Sequence, residues 1–295
     1  MTVRNRGILV ASALTLGFAL LVSGCGADTP ATPVVAKDSA YVALGDSYTS
    51  NPGPVNLADK TCLRSEQNYP HLLAAELNVS LTDMSCGAAK IADLTTPQKA
   101  GVAAQFDALS DKTKLVTVSI GGNDTGFSLI VQGGCLYLEK VRPRNGQSCE
   151  ARTRTAVQRT FILFESSLTN AYRQIREKAP NARVIVVGYP QILGNSGSCA
   201  KYPADTGDIA YINELNTEVN DTVQAAARAA GFEYLDLSQA SMDHGICSAD
   251  PWIAGLPGVP GQAAPVHPFA NEQRAVAALI KKLVGSRLNR SAAGV

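Results

Sequence analysis

Short apolar runs alternate along this chain with segments whose apolar residues recur every three or four positions. The runs cover residues 40–44, 79–84, 114–120, 183–188 and 232–237. Hydrophobicity that is nearly continuous predicts parallel strands covered on both faces, rather than strands with one wet face. The intervening helical patterns lie at 70–77, 155–178, 208–230 and 271–284. Pro70 suits a first helical position, because the N–H it lacks would have no partner there. Within 155–178, Val157, Phe161, Phe164, Leu168, Ala171 and Ile175 trace one buried stripe; Val276, Ile280 and Leu283 do the same in the last helix. The order β-α-β-β-α-β-α-β-α predicts an α/β fold with a doubly wound sheet and right-handed crossovers. Two Gly/Pro-rich stretches, 191–206 and 241–261, lack periodicity and are expected as loops over one end of the sheet.

The first 38 residues do not follow this pattern. Arg4 and Arg6 precede an uncharged apolar stretch at 7–22, and small residues then lead to Cys25, which is the make-up of an export signal. The stretch is shorter than the roughly 20 residues a membrane-spanning helix needs. Val22-Ser23-Gly24-Cys25 resembles the bacterial lipobox, whose cysteine becomes the lipid-modified first residue of the mature chain. Residues 1–24 are therefore expected to be removed as a lipoprotein-type signal. Cys25 would then anchor the chain in the cell envelope; without the lipid, the chain would be released outside. Residues 25–38, rich in Ala, Thr and Pro, read as a flexible tether, and a single domain is expected over 39–290.

Composition narrows the function classes. With 45% hydrophobic and 17% charged residues, 295 residues suffice for a large core, which excludes a disordered or fibrous chain. Lys and Arg number 26 against 25 Asp and Glu, so no basic excess exists to neutralise a phosphate backbone, and no nucleic-acid partner is expected. Seven cysteines without a C-x-x-C pair or zinc-type spacing point to disulfides, hence to an oxidising compartment. With Cys25 set aside, Cys62, Cys86, Cys135, Cys149, Cys199 and Cys247 remain to pair. The His/Asp/Cys pattern offers no metal cluster. Neither metal nor cofactor is expected, and the chain is read as a monomer.

In doubly wound sheets ligands bind beyond the carboxyl ends of the strands. After the first run comes Gly45-Asp46-Ser47-Tyr48, after the second Ser85-Cys86-Gly87-Ala88, after the third Gly121-Gly122-Asn123-Asp124. A serine, an unshielded glycine N–H and an asparagine amide would converge there as a nucleophile and donors for a developing oxyanion. The serine needs a base, and the chain has three histidines. His71 sits inside a helix on the wrong side of a βα unit, and His244 lies in a loop near Cys247. His267, stiffened by Pro265 and Pro268 before the final helix, is the preferred base. Asp46 and Asp124 are read as braces for their turns.

Four ordered blocks, Gly45-Asp46-Ser47, Gly87, Gly121-Gly122-Asn123-Asp124 and His267, resemble the SGNH/GDSL hydrolases, in particular secreted actinobacterial esterases and lipases with three disulfides and a Ser-His dyad. The resemblance implies a flavodoxin-like α/β/α sandwich on a mostly parallel five-stranded sheet, with an open, shallow site. It implies Ser47 as nucleophile, His267 as general base, and an oxyanion hole from the N–H groups of Ser47 and Gly87 and the amide of Asn123. One block departs from the pattern: three residues before His267, where the family usually has Asp, stands Ala264. Losing an orienting carboxylate costs about 10⁴ in kcat in a Ser-His-Asp triad. The main-chain carbonyl of Ala264 is the expected substitute, with Asp243 and Asp250 as rivals. Short loop closure and the resemblance favour the pairs Cys62–Cys86, Cys135–Cys149 and Cys199–Cys247. Leu193, Trp252, Ile253, Leu256 and Val259 make the two long loops apolar, which favours fatty-acyl esters as substrates. Acyl transfer, deacetylation of an envelope polysaccharide, or a non-catalytic envelope lipoprotein are the alternatives.

Overall fold

A computed structural model describes residues 40–137 and 147–292 of the chain, with side chains from 41 and up to 285. Five strands, β1 (Ala40–Gly45), β4 (Leu81–Asp83), β5 (Thr113–Ser119), β6 (Arg183–Val187) and β7 (Glu233–Leu235), form one sheet in the order β4-β1-β5-β6-β7. All four neighbouring pairs run parallel. Alternation along each strand divides the core between two faces. Val42, Leu44, Val116, Val118, Val184 and Val186 pack on one side against α5 (Phe164–Lys178) and α6 (Thr206–Ala229). Tyr41, Ala43, Leu115, Ile185 and Val187 pack on the other against α2 (Tyr69–Leu77) and α8 (Ala270–Ala292). This is the expected three-layer α/β/α sandwich. Among the described residues, no helix is long and apolar enough to cross a membrane.

The pattern of hydrophobic positions misses what local polar chemistry makes. Ser47–Ser50 form a short helical turn, α1, and a small antiparallel hairpin joins β2 (Leu57–Asp59) to β3 (Arg64–Ser65). A short helix, α3 (Phe127–Leu129), follows the Asn123 turn. The expected helix at 155–178 is two helices, α4 (Cys149–Phe161) and α5, broken at Ile162–Leu163. The break has a packing cause. Phe164 turns inward against Gly121, whose φ of +120° leaves the ring in the space a Cβ would need, 2.6 Å from Phe164 Cε2. Phe161 meets Phe164 edge to face at 5.6 Å and stays only half-buried, so it leaves the predicted stripe. The stretches 191–206 and 241–261 are loops, apart from a short helix, α7 (Ser238–Ser241), running into the second. Cys62–Cys86, Cys135–Cys149 and Cys199–Cys247 are bonded as anticipated. The signal, the tether and Cys25 lie outside the described residues.

Candidate active site

The site is assembled at the carboxyl ends of β1, β4, β5 and β6. Gly45 closes β1 at a φ of +151°, where a Cβ would stand 2.6 Å from the Ser119 carbonyl. Gln105 locks that glycine from both sides, accepting from its N–H at 2.8 Å and donating to its carbonyl at 2.9 Å. Asp46 then caps α1, its Oδ1 accepting from the Tyr48 N–H at 2.9 Å. Ser47 opens this turn with 8% exposure. Its N–H has no protein acceptor among the described residues.

The second and third blocks are fastened to each other. Asn123 Nδ2 donates to the Ala89 carbonyl at 3.0 Å, and both Asp124 oxygens accept from the Ile91 N–H at 3.1 Å. An amide nitrogen has two hydrogens, so one remains for a substrate oxygen. The Gly87 N–H, expected to point at an oxyanion, instead donates to the Cys62 carbonyl at 2.8 Å. The Cys62–Cys86 disulfide draws that carbonyl over the turn. Ala88, the next residue, has a φ of +62°, and its N–H has no protein acceptor among the described residues. In this turn it is thus the Ala88 N–H, not the Gly87 N–H, that lacks a protein partner among the described residues.

His267 is buried to 8% exposure on the loop before α8. Its loop is tied to the segment that follows Ser47: the Ala264 N–H donates to the Pro52 carbonyl at 3.0 Å, and the Tyr48 hydroxyl donates to the Val266 carbonyl at 2.8 Å. The Tyr48 and His267 rings lie 5.6 Å apart. Val266 has a φ of +57°, which is unusual for a β-branched residue and marks backbone strain immediately before the histidine. His267 Nδ1 is 2.7 Å from the Pro265 carbonyl. A carbonyl can only accept, so this bond assigns the proton to Nδ1 and leaves Nε2 with its lone pair.

This corrects the expectation for Ala264. Its carbonyl accepts the His267 main-chain N–H at 3.2 Å and so closes the turn, which leaves the next carbonyl, that of Pro265, facing the ring. The carboxylate rivals are held elsewhere. Asp243 accepts from Asn195 at 3.3 Å, and Asp250 lies 3.4 Å from His244 Nδ1. Burial lowers the His267 pKa from the usual imidazole value, against a smaller opposing effect of the Pro265 carbonyl.

Tyr189, at the end of β6, was not anticipated. Its hydroxyl accepts from the Gly122 N–H at 2.8 Å and donates to Asp46 Oδ2 at 2.6 Å, so one buried oxygen couples the Ser47 turn to the Asn123 turn. Burial pushes the Asp46 carboxyl up to about 7, opposed by the bonds from Tyr189 and Tyr48. Tyr189-Pro190 follows the fourth predicted strand as the other blocks follow theirs, and that position is the signal that could have found it. A small, open depression lies beside Ser47, walled by Tyr48, Asn123, Phe127, Val131, Tyr189 and Val266. Of the residues that make the two long loops apolar, Leu193, Ile253 and Trp252 are buried in the core and do not line it. Cys135, Cys149 and Asp208 come within 4.8 Å of one another, but sulfurs joined in a disulfide offer a metal no thiolate.

Residues 43–274 match the model of the GDSL-like lipase/acylhydrolase family. The chain is 37% identical to "Lipase 2" of Streptomyces coelicolor over 282 residues, which cover 92% of this chain and 95% of that protein. Its fold superposes on the crystal structure of phospholipase A1 from Streptomyces albidoflavus with a TM-score of 0.69 at 29% identity, covering 83% of this chain and 99% of that one. The extracellular lipase of Streptomyces rimosus gives 0.70 at 29% identity and the same coverage. The chain belongs to the GDSL-like lipase/acylhydrolase family and is an ester hydrolase.

Proposed function

We propose that this protein hydrolyses fatty-acyl esters through a covalent acyl-enzyme on Ser47. His267 Nε2 takes the Ser47 hydroxyl proton as the oxygen attacks the ester carbonyl carbon. The resulting oxyanion is held by the N–H groups of Ser47 and Ala88 and by Asn123 Nδ2. The imidazolium returns the proton to the departing alkoxide, which leaves as the alcohol. A water deprotonated by His267 then attacks the acyl-enzyme, releasing the carboxylic acid and restoring Ser47. The main-chain carbonyl of Pro265 does the orienting work of the absent carboxylate.

The observation that carries this reading is the His267 ring, buried against Tyr48 beside the Ser47 turn with Nδ1 bonded to a carbonyl. That arrangement supplies a neutral base aimed by its free nitrogen. The apolar wall of the depression, from Phe127, Val131 and Val266, favours an acyl chain. Export of the chain, with loss of residues 1–24, lipid on Cys25 and a tether over 25–38, belongs to the same proposal. The extracellular lipase among its structural relatives supports export.

A fluorophosphonate probe tests the nucleophile: labelling of the oxidised protein that persists in Ser47→Ala overturns the assignment. A series of p-nitrophenyl esters from acetate to palmitate tests the substrate. Activity confined to acetate would replace a fatty-acyl ester with an acetylated one.

A further inference from the structure

Six large apolar side chains stand exposed among the described residues: Val55, Leu63, Leu129, Tyr137, Ile162 and Leu163, at 46–79% exposure. All six are at the end of the sheet that carries Ser47. Val55 adjoins Gly261 in the stretch leading to His267, and Leu63 touches the Gly87 turn. Leu129 ends α3, directly after the Asn123 turn, and Tyr137 follows the disulfide-bonded Cys135. Ile162 and Leu163 form the break between α4 and α5, held at this end by a 3.2 Å bond from the Gly126 N–H to Thr160 Oγ1 and by Phe164 against Gly121. The turns at the amino ends of the strands, 78–80, 109–112, 179–182 and 230–232, carry none.

Single exposed apolar side chains need no explanation, whereas their confinement to one end marks an interaction face. We infer that this rim docks on the surface of a lipid aggregate, so that the enzyme takes its esters from an interface rather than as dissolved molecules. The inference rests on the reading of the site as an acyl-ester hydrolase. The position of the rim selects the occupant. Leu129 adjoins Ser128 in the wall of the depression beside Ser47, so a folded protein or a second copy seated there would cover the nucleophile. A lipid surface would instead present its ester groups to it. The break at Ile162–Leu163 fits this use: it turns two consecutive apolar side chains outward where an unbroken amphipathic helix would bury at least one.

The test uses the exported chain with Cys25→Ser throughout, so that no lipid on that residue contributes. In an otherwise inactive Ser47→Ala background, co-sedimentation with phosphatidylcholine vesicles is compared with and without Leu129→Ser, Ile162→Ser and Leu163→Ser together. Partitioning should fall at least about tenfold in the triple variant, as expected when three apolar side chains no longer insert. With Ser47 present, the triple variant should lose activity on vesicle or micelle esters and keep kcat/KM on dissolved p-nitrophenyl butyrate. Equal partitioning, or equal loss on both kinds of substrate, would overturn the inference. So would a dimer in sedimentation velocity that the triple variant abolishes, since it would give the face to a second copy. Vesicle binding without any esterase activity would leave the docking face standing and remove the hydrolase reading.

Discussion

At the scale of single residues, the chemistry is set by what is buried beside what. Burial keeps the His267 imidazole below its ordinary value of 6.5, so the ring is neutral and able to accept a proton throughout the neutral range. The acid limb of kcat/KM should therefore have its midpoint below 6.5. The same depression means that the unfolded chain binds this proton more readily, so the histidine also weakens the fold as pH drops below that value. Asp243→Ala and Asp250→Ala should leave both the rate and the limb unchanged. A loss of about 10-fold or more in either would return the orienting role to a carboxylate. Tyr189→Phe is expected to lower kcat by about 10- to 100-fold with KM little altered, because it orphans both the Gly122 N–H and Asp46 Oδ2. A drop in thermal stability with unchanged kcat would make Tyr189 structural only. Ser47, Asn123 and His267 could be nominated from the sequence because each follows a recognisable strand end or stands among few candidates. Ala88 and Pro265 could not: which of two adjacent N–H groups is left unpaired, or which carbonyl meets the His267 ring, depends on backbone dihedrals that side-chain identity does not encode.

At the scale of elements, the first turn of α8 joins α2 to the Ser47 turn. Gln273 accepts from the Tyr69 N–H at 2.7 Å, and its Nε2 donates to the Tyr48 carbonyl at 3.1 Å and to Glu272 Oε2 at 2.6 Å. Glu272 is buried, which pushes its carboxyl up to about 8. A carboxylate raised in the folded state destabilises once the unfolded chain ionises, so the cost grows as pH rises from 4.5 toward 8. Glu272→Gln keeps an oxygen for Gln273 and removes that titration. It should raise stability at pH 7 by on the order of 1–3 kcal/mol, with the gain vanishing below about pH 4, measured by urea unfolding. A gain equal at both pH values would assign it to something other than ionisation. The strands and main helices were readable because burial on both faces leaves a continuous apolar run. The break at Leu163 was hidden because Phe161 and Phe164 keep helical spacing across it, and only the contact of Phe164 with Gly121 shows why the axis turns.

For the whole molecule, the three disulfides all lie at the site end of the sheet. The Cys62–Cys86 bridge spans 24 residues and carries the carbonyl that holds the Gly87 N–H. Replacing both cysteines by serine should cost about 3 kcal/mol and lower Tm by about 6–12 °C. It should also reduce kcat, since the Ala88 turn loses its fixed neighbour. Unchanged turnover at 25 °C in the folded variant would confine the bridge to stability. Layer order and bridge pairing were accessible from the sequence. The rim of exposed side chains was not, because no period or spacing distinguishes an apolar residue that faces solvent from one that packs.

Parallel strands have a direction, and here that direction separates two attachments. The chain enters the sheet at Ala40, at the amino end of β1, while Ser47 sits just past its carboxyl end. A strand of this length keeps the two about 20 Å apart on opposite poles of the sandwich. The entry point of the fold and its nucleophile therefore face away from each other, so whatever holds the chain ahead of Ala40 does not have to pass the catalytic pole.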